Sequence, residues 1–264
     1  MILRSCPVFS PRPWGDRKLN RIYGVDSEEP IGEVWLLSDI EGMRTWLESG
    51  STRLSPNEVI DKLSGRSLPR FPIMVKHICA SEWLSVQVHP DDKFARLYEG
   101  EPWGKSECWY FLNEGQVLAG MKNKTKPVDS VREDDLNHIL LKRGDLLALP
   151  AGIVHAIGPG SELIEIQQNS DVTYRLYDWD RGRELHIEKA SKAVNPSLMP
   201  GHYESVKRFD WEYFSVRETS RFSGTGVCVT IEEKPSLYLV IDDVMESAKP
   251  FLAITLGEFW SEIP

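Results

Sequence analysis

Arg143-Gly144-Asp145-Leu146-Leu147-Ala148-Leu149-Pro150-Ala151-Gly152-Ile153-Val154-His155-Ala156-Ile157 is the stretch that decides the architecture. A Gly-Asp turn feeds a short apolar run, residues 146–149, with the length and character of a buried strand. Pro150-Ala151-Gly152 then makes a tight turn and re-aims the chain, so that His155 points inward. An inward histidine has two readings: a buried ring bonded to a backbone carbonyl, or a metal ligand.

With Gly144, Pro150, Gly152 and His155 in place, the stretch resembles the second cupin motif, G-x5-P-x-G-x2-H; Pro159 stands where that motif ends in asparagine. The resemblance implies a mainly β chain, folded as a double-stranded β-helix or jelly-roll barrel, with His155 as a metal ligand. Frequent Pro and Gly and short apolar runs agree with many strands and tight turns. Strands are expected at residues 31–38, 72–80, 84–89, 107–112, 117–121, 146–149, 163–168 and 172–177. Short helices are expected at 56–65, 92–99, 131–141 and 185–193. Further strands at 213–217, 227–232, 236–241 and 251–255 form a smaller C-terminal β region. The expected division is 1–200 for the main unit and 201–264 for the tail, with no internal repeat.

Upstream, Leu84-Ser85-Val86-Gln87-Val88-His89-Pro90-Asp91-Asp92 alternates like a half-buried strand. Ser85, Gln87 and His89 therefore share one face, with Val86 and Val88 behind them. Such a polar row needs partners, either water or a metal. Glu107 opens the apolar strand Glu107-Cys108-Trp109-Tyr110, an unusual place for a carboxylate unless it is paired with Lys105 or bound to a metal. Gln87, His89, Glu107 and His155 together offer an amide oxygen, two imidazoles and a carboxylate. Zinc accepts that set, and iron and manganese remain open. Cys108 should face away from Glu107. Glu165 and Arg175 each interrupt an apolar strand, so they either pair with each other or serve the site.

The 264 residues carry a net charge of -9, which argues against a nucleic-acid partner. No run is long enough to span a membrane. Residues 1–16 hold no apolar stretch of signal-peptide length, and the four cysteines are scattered, so a reduced, cytoplasmic protein is expected.

In order and at suitable spacing, Pro13-Trp14-Gly15, Gly32-Glu33-Val34-Trp35, Met74-Val75-Lys76, the Leu84–Asp91 stretch, Gly104-Lys105-Ser106-Glu107-Cys108-Trp109-Tyr110, the His155 turn and Arg175-Leu176-Tyr177-Asp178-Trp179 resemble the type I mannose-6-phosphate isomerases, or phosphomannose isomerases. That resemblance implies one zinc ion per chain, held by Gln87, His89, Glu107 and His155. It implies interconversion of mannose 6-phosphate and fructose 6-phosphate through a cis-enediol, with Arg175 and Lys105 catalytic. Lys76 and Ser85 fall at phosphate-binding or catalytic positions, and Trp14, Glu33 and Glu165 at pocket-lining ones. The general base is open among Glu165, Lys105 and a water on the metal. Family members usually carry a fuller second β-barrel than residues 201–264 provide. The partner is a small phosphorylated sugar, and the chain is expected as a monomer or homodimer. The rival readings are a non-catalytic sugar-binding or regulatory cupin and an iron cupin oxygenase.

Overall fold

The computed structural model describes residues 1–263, in three sheets whose strand pairings are all antiparallel among those residues. The middle layer is a seven-stranded sheet in the order Gly201–Tyr203, Leu146–Leu149, Glu107–Phe111, Glu162–Gln168, Ile73–Cys79, Ile31–Leu37 and Val8–Pro11. Its five inner strands are buried on both faces, so their apolar runs are nearly continuous. Along them, alternate side chains divide between two cores. Trp109, Phe111 and Leu163 point one way, to Val117, Ala119 and Ile157. Cys108, Tyr110, Ile164 and Ile166 point the other way, to Val216, Leu239 and Ile254. Cys108 thus lies opposite Glu107, as the alternation requires.

Val117, Ala119 and Ile157 belong to a five-stranded sheet in the order Leu136–Leu141, Gly115–Met121, His155–Ile157, Val86–Val88 and Tyr174–Tyr177. The two sheets face each other as the halves of a jelly roll, without a continuous hydrogen-bonded ring. This is the mainly β cupin architecture expected from the His155 turn.

The third sheet contains Arg208–Asp210, Phe214–Thr230, Leu237–Leu256, Ile2–Cys6, Trp46–Ser49 and Thr52–Leu54. The four short strands expected after residue 212 are two long ones. They form a hairpin that curls on itself, so that Val227 pairs with Leu239 on one side and Ile254 on the other. Ile2–Cys6 continues the sheet by pairing with the same long strand.

The helix Asp92–Tyr98 forms where Asp91 accepts the Phe94 amide at 2.7 Å. The expected helix at 56–65 begins as a 3-10 turn, Pro56–Val59, continues as Ile60–Ser64, and stops at Gly65 with φ 71°. Ile187–Ala193 is helical, starting two residues later than expected. The expected helix at 131–141 is a correction. Asp135 accepts the Arg132 amide at 2.8 Å, and only one 3-10 turn, Glu133–Asp135, follows. Leu136–Leu141 is an edge strand paired with Gly115–Met121. Its apolar residues fit either periodicity, and the unpaired edge of the neighbouring strand decides between them. The helix Arg17–Tyr23, capped by Asp16, carried no strong apolar signal.

Candidate active site

Two cross-strand rows build the site. In the five-stranded sheet, Ala119, His155, Gln87 and Arg175 stand side by side on four neighbouring strands. In the seven-stranded sheet, Trp109, Glu165, Lys76 and Trp35 do the same. Residues directly opposite in register share a face, so each row presents its side chains together. Glu107 lies one step along, opposite Gln167.

His89, Glu107 and His155 converge, with one candidate ligand atom from each lying within 4.8 Å of the others. All three are buried. His89 Nδ1 lies 2.9 Å from the Val172 carbonyl, and His155 Nδ1 lies 2.9 Å from the Ile153 carbonyl. A carbonyl only accepts, so each Nδ1 carries the proton and each Nε2 keeps a lone pair. Both lone pairs face Glu107: His89 Nε2 is 3.5 Å from Oε2, and His155 Nε2 is 3.4 Å from Oε1. Burial, reinforced by the Lys105 charge, pushes both imidazoles down, His155 to about 4, so they are neutral near pH 7. Burial pushes the Glu107 carboxyl up, and Lys105 beside it pulls it back.

Lone pairs and a carboxylate aimed at one another require a cation between them. Lys105 supplies part of it, donating to Glu107 Oε2 and to His89 Nε2, the latter at 3.0 Å. Glu107 Oε1 has no hydrogen-bond partner. Gln87 lies alongside, its amide nitrogen 3.4 Å from His155 Nε2 and its oxygen accepting the Ser85 hydroxyl at 3.0 Å. Turning that amide over, a choice the hydrogen-bond network leaves open, presents the oxygen to the centre. Two imidazole nitrogens, a carboxylate and an amide oxygen fit a zinc-type cation.

Beside this cluster is a cavity of about 340 Å³ lined by Trp14, Glu33, Lys76, Ser85, Gln87, Lys105, Glu165 and Arg175. Every residue singled out from the sequence therefore lies in the cluster or the cavity wall. Glu165 does not pair with Arg175. Its Oε2 accepts the Trp109 indole at 3.0 Å, and its Oε1 faces Lys76 Nζ at 3.2 Å, an ion pair without hydrogen-bond alignment. Lys76 Nζ also sits 4.6 Å from the centre of the Trp35 ring. Burial alone would lower the Lys76 pKa, but Glu33 and Glu165 raise it. Burial alone would raise the Glu33 pKa, but the Lys76 and Arg12 charges hold it down to about 2. Arg175 Nη1 donates to the Glu184 carbonyl at 3.0 Å, and no carboxylate lies within ion-pair distance of it among the described residues.

Arg12, Asp171, Arg183 and His186 also line the cavity and were not found by sequence reading. Arg12 donates to Glu33 at 2.9 Å. Arg183 is held in a two-pronged pair with Asp178, at 2.7 and 2.6 Å, across a turn with Trp179 and Asp180 at φ 54° and 56°. His186 Nδ1 accepts the Arg175 amide at 3.1 Å. Arg12 stands two residues before the quoted Trp14, which was the one available signal. Asp171 and Arg183 sit in loops with no periodicity to betray them, and His186 falls at the start of the helix expected at 185–193, where nothing marks it as a cavity residue.

Comparison with known proteins bears on this geometry. The family profile described as phosphomannose isomerase type I, catalytic domain, matches residues 12–108. Mannose-6-phosphate isomerase ManA of Bacillus subtilis (strain 168) is 31% identical over 268 residues, covering 89% of this chain and 83% of the relative. A crystal structure of the mannose 6-phosphate isomerase from Bacillus subtilis superposes with a TM-score of 0.80 at 27% identity, covering 96% of this chain and 98% of the other. A zinc-bound mannose 6-phosphate isomerase structure superposes at 0.67 and 15% identity, covering 97% and 99%, which speaks for the fold. No helix among the described residues is long and apolar enough to cross a membrane.

Proposed function

The chain belongs to the type I phosphomannose isomerase family, and from that premise we propose that it interconverts mannose 6-phosphate and fructose 6-phosphate through a cis-enediol, with one zinc ion per chain. The observation that carries the reading is the convergence of His89 Nε2, His155 Nε2 and Glu107 beside a cavity walled by Lys76, Lys105 and Arg175. Gln87, His89, Glu107 and His155 would hold the ion. When bound, it supplies a Lewis acid that polarises the sugar carbonyl.

The remaining work falls to the chain. Arg175, permanently protonated and without a carboxylate in ion-pair distance among the described residues, faces the negative charge that develops on the enediol oxygens. Lys105 borders both the ligand cluster and the cavity, where an ammonium serves ring opening or holds phosphate. Lys76 and Ser85 are the phosphate-binding candidates, and the phosphate contributes binding energy and orientation. Trp14, Glu33 and Glu165 shape the wall, and the two carboxylates hold the Lys76 charge.

The same reading takes residues 1–200 as the catalytic cupin unit and 201–264 as a reduced second β unit. It takes the protein as a cytoplasmic monomer or homodimer. The test is a coupled assay with mannose 6-phosphate, run after chelation and again after zinc is restored. Turnover that disappears and returns supports the reading; absence of turnover in the zinc-restored protein overturns it.

A further inference from the structure

A strand at the end of a sheet shows unpaired amides and carbonyls, and proteins blunt such an edge with charge, proline, brevity or a covering element. Five of the six sheet ends among the described residues are blunted in these ways. Arg208–Asp210 carries an exposed ion pair between its first and last residues, and Thr52–Leu54 carries Arg53. Gly201–Tyr203 is three residues long, and Val8–Pro11 ends in proline. Tyr174–Tyr177 is covered by Ile187–Ala193, with the His186 amide donating to the Arg175 carbonyl at 2.8 Å.

Leu136–Leu141 is the sixth end. Its sequence, Leu-Asn-His-Ile-Leu-Leu, holds no charged residue and no proline, and Leu140 is 71% exposed. Asn137 fills the bulge at its start by donating to the Ala119 and Gly120 carbonyls at 3.3 and 2.8 Å, so residues 138–141 run on in regular register. Among the described residues, no hydrogen bond outside the ladder with Gly115–Met121 reaches the backbone of residues 137–141. The charges at the two ends of the strand say what would fit along it. Glu133 and Asp134 stand exposed before it, and Lys142 and Arg143 stand exposed after it. Asp135 pairs with Lys126 at 2.7 Å, but none of those four has an ion-pair partner in its own chain among the described residues. An antiparallel strand of the same sequence reverses the order, so an acidic end meets a basic end twice about one two-fold axis. A parallel copy would set acid against acid.

We propose that Leu136–Leu141 is a homodimer interface, in which a second copy of this chain pairs antiparallel along the edge and carries the five-stranded sheet through both subunits. The acidic and basic ends fix the direction, and Leu140 gains cover from the partner strand. One short strand per subunit buries less than a standard interface, so association is reversible, with a Kd on the order of micromolar. The interface is independent of the isomerase reading.

The test is sedimentation velocity of the full chain from about 1 to 200 µM, at about 0.15 M salt, where repulsion between the net charges is screened beyond about 8 Å. The wild type should shift from monomer to dimer across that range. Leu140→Lys should stay monomeric throughout. So should Lys142→Glu/Arg143→Glu and Glu133→Lys/Asp134→Lys, each measured alone, whereas an equimolar mixture of the two should dimerise again. All the substituted side chains are exposed, so the thermal midpoint of each variant at low concentration should match that of the wild type. A wild type that stays monomeric at every concentration overturns the proposal, whether the edge is left bare or takes a strand from another protein. So does a dimer that survives Leu140→Lys or either charge reversal, and so does a mixture that stays monomeric.

Discussion

Gln87 and Arg175 stand directly opposite each other on neighbouring antiparallel strands, and Gln87 has His155 as its partner on the other side. One row across one sheet therefore carries the proposed ligands His155 and Gln87 and a cation with no carboxylate within ion-pair distance among the described residues, at spacings fixed by the ladder rather than by loops. The facing row holds Lys76 between Glu165 and Trp35, so charge on that side is internally matched. On the proposed function this asymmetry leaves Arg175 with charge to give to a substrate, whereas Lys76 has most of its own already engaged.

Replacing Arg175 by alanine should therefore remove transition-state stabilisation and leave the metal alone. The expected kcat loss is about 10²- to 10³-fold, the size seen when one oxyanion donor is deleted. Zinc content, measured by elemental analysis, should not change. Retained turnover would remove Arg175 from the chemistry.

Glu107→Gln should act through the metal. The amide keeps the shape but loses the charge that two neutral imidazoles need beside them. Bound zinc should fall well below one per chain after dialysis, and activity should fall with it. Excess zinc should restore activity in part. Full zinc occupancy in the variant would place the centre elsewhere.

Lys76→Ala tests whether a matched lysine contributes to binding or to folding. Removing it leaves Glu33 and Glu165 buried with less compensation, which costs about 3–5 kcal/mol for a buried pair broken on one side. Denaturant unfolding should show that loss. A rise in KM for the phosphorylated sugar should accompany it if Lys76 also meets phosphate. An unchanged KM in folded variant would confine Lys76 to holding the wall.

What the sequence disclosed follows from what local rules can express. Ser85, Gln87 and His89 were legible as one face because strand alternation is local, and the His155 turn because proline and glycine leave few alternatives. The two readings of His155, bonded to a carbonyl or aimed at a metal, prove compatible: the bond from Nδ1 to Ile153 is what frees Nε2. Asp171, Arg183 and His186 are not legible as site residues, because two loops and one helix start bring them to the cavity along paths that depend on sheet packing. The sequence divides the curled hairpin of Phe214–Thr230 with Leu237–Leu256 into four strands, because the mostly polar stretches 218–226 and 242–250 interrupt its apolar runs. Residues 131–141 have an apolar spacing that fits both periods, so only the neighbouring strand decides between them.

Glu33 should make stability fall at acid pH. Its carboxyl moves from an ordinary 4.5 to about 2 in the folded chain. Between those values the unfolded chain binds the extra proton, so stability rises with pH there. The contribution is complete above pH 4.5 and gone below about 2. A shift of that size corresponds to about 3 kcal/mol. Glu33→Gln should flatten the acid limb of unfolding free energy by up to one proton, and an unchanged slope would mean that Arg12 and Lys76 do not hold the charge.

Gly104 should tolerate no side chain, for a reason that reaches Lys105. A Cβ there would lie 2.5 Å from the Pro90 carbonyl oxygen, 2.6 Å from the Asp91 carbonyl carbon and 2.8 Å from the Asp92 nitrogen. All three are backbone atoms, so no side-chain rotation relieves the clash, and one of the two chain segments must move. The Gly104 amide donates to Asp92 at 2.8 Å and the Lys105 amide to Pro90 at 3.1 Å, so the move would break the contacts that seat Lys105. Gly104→Ala should cost about 1–3 kcal/mol of stability, as overpacking does. It should also lower kcat more than Lys105 burial alone would suggest, because His89 and Lys105 flank the same crossing. Wild-type kcat in a variant destabilised by that amount would mean that the position of Lys105 does not matter to turnover.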